Sequence, residues 1–467
     1  MAKLKILCFM ESDPEVRNFL HSGSLNLLFE KHDVELVLPP KNYKRLKADV
    51  EGLKLGVPVR RVRIPERRLA IWKRLYHLNQ MRFRLDLDWL GLWLSWWGVV
   101  GWKAGVLFSL GNLPLICDVV KKRLHAELLK FPCKDLDLLV EETQPDIVIH
   151  PSTFGGYFVN DFVDLGKRLS VPTFLIMNSW DNPSSKRAMS GEPDRVGVWG
   201  EQTVKHTQKF AGIPRHHIIV LGAAQFEVYR SAPRITPSEF RSEHGLSPRD
   251  IVLLYAGSSR GTQESLHLEW INRAIEEGDL PMMKVVYRPH PWGIQQDQAQ
   301  KILSSDWKNV VVENSMYDFM KSCAKDGKSG AFYMAEYART HDILSSVDMV
   351  VSPLSTVIIE GALHGKPVMC FYPKEEEGSS LWKKNVKRLP HFDEIFKSKM
   401  VITCLSHSDL IESIRKLNRN LLVSDFSSQI EVFSKYFVEF SDGGYRENLN
   451  VEIENFFKEL SGKTSNE

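Results

Sequence analysis

No two cysteines in this chain stand close enough to form a CxxC pair. The six (Cys8, Cys117, Cys133, Cys323, Cys370 and Cys404) are scattered, which excludes a zinc-ribbon or dithiol redox signature and reads as reduced core thiols in a cytosolic protein. Charge excess is also missing. The net charge is +3, and no zinc-finger, RRM or helix-turn-helix pattern appears, so nucleic acid is not an expected partner. There is no low-complexity tract, no internal repeat and no GxGxxG dinucleotide fingerprint. The start, MAKLKILCFMESD, lacks the apolar segment and small-residue cleavage site of a signal peptide and reads as a first β-strand.

What is present is a long alternation. At 467 residues two or three domains are expected. Short β-branched runs stand at Lys5–Phe9, Val34–Leu38, Asp146–His150, Thr173–Met177, Arg195–Trp199 and His217–Leu221. A second series stands at Ile251–Tyr255, Met283–Tyr287, Val310–Glu313, Met349–Ser352, Pro367–Phe371 and Val401–Cys404. Helical patterns separate them, among them Val16–Lys31, Asn160–Leu169, Gln202–Ala211, Leu266–Glu277 and Thr356–His364, and the tail over 430–458 is also helical by pattern. Such alternation predicts an α/β protein with parallel sheets and helices on both faces. The even split predicts two Rossmann-like doubly wound domains, 1–230 and 231–467, with a proline-rich seam near Tyr229–Pro237.

One stretch departs from this pattern. Between Lys41 and Arg74 there are twelve Lys/Arg and three acidic residues. They lead into WLGLWLSWWGVVGW, residues 89–102, with five tryptophans and no charge, and then into the apolar run Ala104–Cys117. Three readings stay open for this 41–117 region: a buried helix of the domain core, a segment seated on a membrane surface, or a transmembrane helix interrupted by glycines, a lysine and an asparagine.

In doubly wound sheets ligands bind beyond the carboxyl ends of the strands, so the residues after each strand are the candidates. After Ile251–Tyr255 comes Ala256-Gly257-Ser258-Ser259-Arg260-Gly261, where Gly257, Ser258 and Ser259 precede a helix and suit a phosphate. After Met283–Tyr287 comes Arg288-Pro289-His290-Pro291, at the heart of YRPHPW. The two prolines restrict the backbone, which aims Arg288 and His290 either at an anion or into an ordinary turn. After Met349–Ser352 comes SPLSTVIIEGALHGKPV. Ser355 and Thr356 there either cap the next helix or hold a phosphate, and Glu360 lies one turn on, able to accept from ribose hydroxyls. In the first half, Asn178-Ser179-Trp180-Asp181-Asn182-Pro183-Ser184-Ser185-Lys186 follows one strand. His150 and the pair Glu11 and Asp13 end two others.

Taken together, the RPHP loop, SPLSTVIIEGALHGKPV and the stretch from Asn178 to Tyr229 resemble the GT-B glycosyltransferases. The likeness is nearest to the bacterial branch of CDP-glycerol glycerophosphotransferases, capsule Kdo transferases and sialyltransferases. It is most specific over 173–371 and absent over 51–140. The resemblance implies two Rossmann-like domains facing across a cleft, with the acceptor in the first and the donor nucleotide in the second. It implies that His290, Ser355 and Thr356 contact the donor phosphate and that Glu360 holds the ribose. In the glycerophosphotransferases the acceptor loop reads roughly Trp-His-Gly-Thr-Pro-x-Lys, with the histidine as proposed base. Here it reads Trp180-Asp181-Asn182-Pro183-Ser184-Ser185-Lys186, which points to Asp181 as base, with Asn182 and Lys186 beside it. Glu11, Asp13 and His150 are the fallback acceptor-side candidates.

No acidic DxD pair follows a strand, so the route expected is metal-independent, with no cofactor and a nucleotide-activated sugar as co-substrate. The function implied is transfer of a sugar from a CMP- or CDP-linked donor to a bacterial surface glycan or its lipid-linked precursor. The alternatives are glycerophosphate transfer and a hydrolysing UDP-sugar 2-epimerase. The expected place is the cytoplasm, with contact at the inner face of the membrane through 41–117.

Overall fold

Runs of apolar residues long enough to be covered on both faces become central strands. The computed structural model describes residues 3–83, 85–96, 102–103, 106, 113–189, 191–259, 262–327, 336–376, 386, 388–417 and 427–464. It divides into two compact units, Met1–Glu227 with Lys435–Glu467, and Val228–Ser434.

The first unit holds a seven-stranded parallel sheet: β1 (Lys5–Phe9), β2 (Asp33–Leu38), β3 (Val59–Arg61), β4 (Ile147–Ser152), β5 (Thr173–Met177), β6 (Arg195–Val198) and β7 (Ile218–Val220). Their order is β3-β2-β1-β4-β5-β6-β7. The second unit holds six parallel strands: β8 (Ile251–Ala256), β9 (Met283–Arg288), β10 (Val310–Val312), β11 (Met349–Ser352), β12 (Val368–Phe371) and β13 (Val401–Cys404). Their order is β10-β9-β8-β11-β12-β13. The order reverses between β1 and β4, where Ile6 pairs with Ile147, and between β8 and β11, where Leu254 pairs with Val350. Those reversals are the switch points at which a doubly wound sheet opens a crevice beyond its strand ends.

Every strand expected from the sequence is present, and one more. β3 is a three-residue edge strand carrying Arg60 and Arg61. Arg60 pairs with Glu35 and Glu142, and Arg61 with Glu51. Charged, short edge strands resist further pairing and leave no apolar run to read. The expected helix Val16–Lys31 is interrupted: a π-helical turn Val16–His21 is followed by Gly23 at φ +68° and a second helix, Asn26–Lys31.

The tail forms two helices, Ser427–Phe437 and Tyr445–Thr464. The sequence reading placed all of it in the second domain, but residues 435–467 belong to the first unit. Tyr445, Leu449, Ile453 and Phe456 recur at helical spacing and pack into the core formed by β1, β2 and β4.

In the tryptophan-rich stretch, helix Leu87–Trp96 buries Trp89 and Trp93 as a stacked pair with centroids 6.2 Å apart. The Trp93 indole donates to Gln80 Oε1 at 2.9 Å. This part of the segment is core. Residues 97–101, 104–105 and 107–112 lie outside the described residues. Among the described residues no helix is long and apolar enough to cross a membrane. Five of the six cysteines are buried, and none forms a disulfide.

Candidate functional site

In the second unit three loops leave the same edge of the sheet, after β8, β9 and β11. They are laced together by one backbone and one side-chain hydrogen bond. Gly257 N–H donates to the Arg288 carbonyl at 2.9 Å, and Ser352 Oγ donates to the Ala256 carbonyl at 2.8 Å. Gly293 lets the β9 loop lie against the β8 loop, because a Cβ there would overlap the Ser258 carbonyl oxygen. Glu264, the first residue of helix Glu264–Glu276, folds back beneath these loops. Its carboxylate accepts from Ser258 N–H at 3.0 Å, Tyr287 OH at 2.6 Å and Thr262 Oγ1 at 3.2 Å. Burial pushes its pKa up to about 7. The amides of Gly257 and Ser258 are thus engaged within the fold, and Ser259 is the exposed member of the trio.

Arg288 is the last residue of β9 and is only 9% exposed. Its Nη1 donates to Thr340 Oγ1 at 2.9 Å, while Nη2 is buried without a hydrogen-bond partner. A buried guanidinium nitrogen left unsatisfied at the carboxyl end of a strand is unfavourable unless an anion completes it.

The Arg-Pro-His-Pro loop is a turn and something more. The His290 carbonyl accepts from Gly293 N–H at 2.9 Å and Ile294 N–H at 3.3 Å. His290 Nδ1 accepts from Trp292 N–H at 3.1 Å. That bond makes the neutral ring the Nε2–H tautomer, a donor at its other edge.

Ser355 and Thr356 are half-buried and precede the short helix Val357–Leu363. Ser355 Oγ accepts from Val357 N–H at 3.4 Å, a weak capping bond. Glu360 is buried, and its carboxylate accepts from Tyr229 OH.

In the first unit the fallback candidates turn inward. Glu11 is 1%, Asp13 3% and His150 0% exposed. The Glu11 carboxylate accepts from Phe158 N–H at 2.6 Å, just before helix Val159–Leu169. Gly156 makes room for it, since a Cβ there would overlap the carboxylate. Asp13 Oδ1 accepts from Lys47 and Ala48 N–H, both at 2.7 Å. His150 lies inside β4, two residues before its end, and donates from Nδ1 to the Phe9 carbonyl at 3.0 Å. Burial pushes its pKa down to about 4, so the ring is neutral. These three hold loops and strands together.

Asp181 differs in being half-exposed. Its Oδ1 accepts from Ser179 Oγ at 2.6 Å and Asn182 Nδ2 at 3.5 Å, and its Oδ2 from Ser185 Oγ at 3.0 Å. Asn182 is buried and accepts from Ser179 N–H at 2.9 Å. Lys186 offers its carbonyl to Gln80 Nε2 at 2.7 Å and Tyr76 OH at 3.2 Å.

Arg187, which the sequence reading passed over, closes this loop. It sits at φ +53°, and its buried guanidinium lies 4.7 Å from the Phe210 ring centroid and 5.3 Å from those of Trp89 and Phe83. Asp86 accepts from its Nη1 at 2.5 Å. An arginine wrapped by three aromatic rings fixes the end of the Asp181 loop. The neighbouring aromatics come from distant stretches, so no local pattern marks it.

No family model and no curated protein matches this chain. Solved structures do. UDP-GlcNAc 2-epimerase from Neisseria meningitidis bound to UDP-GlcNAc aligns over 97% of this chain and 100% of its own, with 12% identity and a TM-score of 0.53. S. aureus MnaA, in a co-structure with UDP, aligns over 98% and 97%, with 11% identity and a TM-score of 0.50. The wall teichoic acid polymerase TagF aligns over 98% and 90%, with 9% identity and a TM-score of 0.48, too weakly to bear on this chain. At these identities the likeness is one of fold, and the fold is GT-B.

Proposed function

We propose that the protein is a nucleotide-sugar enzyme of GT-B fold, and specifically a transferase that moves a sugar onto a bacterial surface glycan or its lipid-linked precursor. The observation that carries the proposal is the unsatisfied guanidinium nitrogen of Arg288 at the carboxyl end of β9, beside β8. A donor phosphate would complete it, with His290 Nε2–H, Ser259, Ser355 and Thr356 as further donors. In the proposed reaction Asp181 takes the proton of an acceptor hydroxyl. The acceptor oxygen bonds to the anomeric carbon as the bond from that carbon to the phosphate oxygen breaks. The charge that develops on the leaving phosphate is met by Arg288 and His290. Asp181 is preferred over Glu11, Asp13 and His150 because those three are sealed in the interior.

The test is thermal stabilisation by CMP, CDP, UDP and GDP in wild type and His290→Ala. A ligand at a hundred times its Kd stabilises by about 2.7 kcal/mol. Stabilisation by one nucleotide that weakens in His290→Ala supports the reading. No stabilisation at millimolar concentration removes it.

A second reading, a UDP-sugar 2-epimerase, is favoured by the near-complete alignment with the Neisseria enzyme. Product analysis separates the two. An epimerase converts its sugar nucleotide alone, whereas a transferase consumes it productively only when an acceptor is present.

A further inference from the structure

Behind Glu360, two histidines of the second unit form a chain whose hydrogen atoms can be counted. His341 lies on helix Tyr337–Ser346 and His364 at the end of helix Val357–Leu363. His341 Nε2 is 2.8 Å from the Ser231 carbonyl. His341 Nδ1 is 2.8 Å from His364 Nε2. His364 Nδ1 is 2.7 Å from the Glu360 carbonyl.

Both ends of the chain are carbonyl oxygens, which only accept, so each end nitrogen carries a hydrogen. The central N···N bond needs one hydrogen between its two nitrogens. Three hydrogens on two rings is one more than two neutral imidazoles possess. The arrangement is fully bonded only when the pair carries one positive charge.

The surroundings suit that charge. The Tyr229 ring lies 5.4 Å from the His341 ring and 4.6 Å from the His364 ring, presenting π-faces and edges to the cation. Its hydroxyl donates to the Glu360 carboxylate, a buried anion on the same helix as the end carbonyl. Burial, together with His341 and Lys366, pushes the pKa of His364 down to about 4, against the pull of the Glu360 carbonyl.

The other groups facing the pair are accounted for. Ser345 Oγ is 3.4 Å from His341 Nδ1. Lys366, itself held below its usual range by burial, donates to the Ser345 carbonyl at 3.4 Å. Asp342 is engaged by Arg234 Nε at 2.9 Å and Arg234 N–H at 2.8 Å. Tyr337 and Arg288 act through space on Tyr229.

We propose that His341 and His364 share one extra proton, and that the charged pair positions Tyr229 and Glu360 for the ribose of the donor nucleotide. This rests on the donor-site reading above. His341 and His364 are positioning residues: they tie the segment at Ser231 to the helix that carries Glu360. When the proton leaves as pH rises, one of the three bonds is lost and the tie opens.

The experiment uses the full chain, labelled at histidine nitrogen, with CDP and UDP as probes. Ring nitrogen signals of His341 and His364, assigned by His341→Gln and His364→Gln, are followed from pH 6.5 to 9. The nucleotide that binds is titrated over the same range. One doubly protonated ring at pH 7 is expected, with affinity falling about tenfold as that ring deprotonates, the worth of roughly one hydrogen bond. In His341→Gln a single amide nitrogen offers hydrogens to both His364 and Ser231 with nothing to titrate. Its affinity should not follow pH, whereas His341→Leu should bind weakly throughout.

Two neutral rings at pH 7 would overturn the proton count. A charged ring with affinity flat across the range would overturn the positioning role. If neither nucleotide binds wild type, the donor-site reading fails and the positioning role fails with it. The ring signals still report the charge separately, so the two failures are told apart.

Discussion

Arg288 is held in the interior with one nitrogen unsatisfied, and a cation so placed is destabilising unless compensated. Part of the compensation is visible at Glu313. Burial pushes that carboxyl up, yet Arg288, Ser315 and Arg339 together hold it below its usual range. Replacing Arg288 by methionine removes the charge and roughly keeps the volume. Because Glu313 keeps Arg339 but loses Arg288, the free Arg288→Met protein should melt below the wild-type temperature and should no longer be stabilised by nucleotide, both read in one thermal scan. Asp181 supports a different comparison. Asp181→Asn keeps hydrogen-bonding groups toward Ser179 and Ser185 but cannot take a proton. Turnover should drop by about 10²–10⁴-fold with nucleotide binding intact, and wild-type turnover would place the base elsewhere. Glu264 sets a pH dependence. Its folded pKa, about 7, lies above its ordinary value of 4.5, so between those values the native state holds a proton that the unfolded chain has released. The stabilisation is present at low pH and is lost as pH rises through 7, by about 3 kcal/mol at most. Urea unfolding at pH 5 and pH 8 should show this loss in wild type and not in Glu264→Gln.

At the scale of elements, the loops after β8 and β9 act as one piece because Gly293 lets backbone meet backbone and Gly257 leaves room for the Glu264 carboxylate between them. Gly293→Ala inserts a methyl group where the Ser258 carbonyl sits. The loops must separate, and nucleotide stabilisation should be lost while the far-UV circular dichroism is kept; an alanine variant that binds normally would show the loops to be independent. How far elements are legible in sequence follows from what supplies their stability. Central strands such as Ile251–Ala256 are apolar throughout and announce themselves. β3 is held by ion pairs at an edge and does not. The strand-end residues Arg288, His290, Ser355, Thr356 and Asp181 are legible because parallel topology puts every strand's carboxyl end on one edge. Their partners are not. Tyr229 beneath Glu360, His341 against His364 and the aromatic wrap of Arg187 are separated by 131, 23 and up to 104 residues in the chain, and no spacing rule links them. Burial also decides between candidates that look alike in sequence. Glu11 and Asp181 both follow strands, yet one is sealed against Phe158 N–H and the other reaches the surface.

For the molecule as a whole, the packed pair of helices Glu66–Gln80 and Pro114–Leu128 in the first unit is the place to test for a membrane. Their inner faces meet through Ile71, Trp72, Leu75, Leu124 and Leu128. On the outside Leu115 is 82% exposed, and Ile116, Val119 and Val120 are exposed beside it. Exposed Lys73, Arg74, Lys122 and Arg123 lie on the same two helices. We propose an anionic bilayer as the partner of this face, since exposed apolar side chains and cations on the same two helices, with Asp118 the acidic exception among the apolar ones, suit lipid headgroups over an interior. Liposomes containing phosphatidylglycerol should co-sediment the protein at low salt and release it at high salt, and Leu115→Asp with Val119→Asp should abolish this. No sedimentation at low salt would remove the proposal. The chain also leaves the first unit at residue 227 and re-enters it at 435, bringing Leu449, Ile453 and Phe456 back to the core of β1, β2 and β4. During synthesis, then, the part made first cannot finish. It leaves the ribosome with an uncovered apolar patch, waits while the whole of 228–434 emerges and folds, and closes only when the last helix arrives. A nascent chain stalled anywhere between those points exposes that patch, which makes it a natural client for a chaperone.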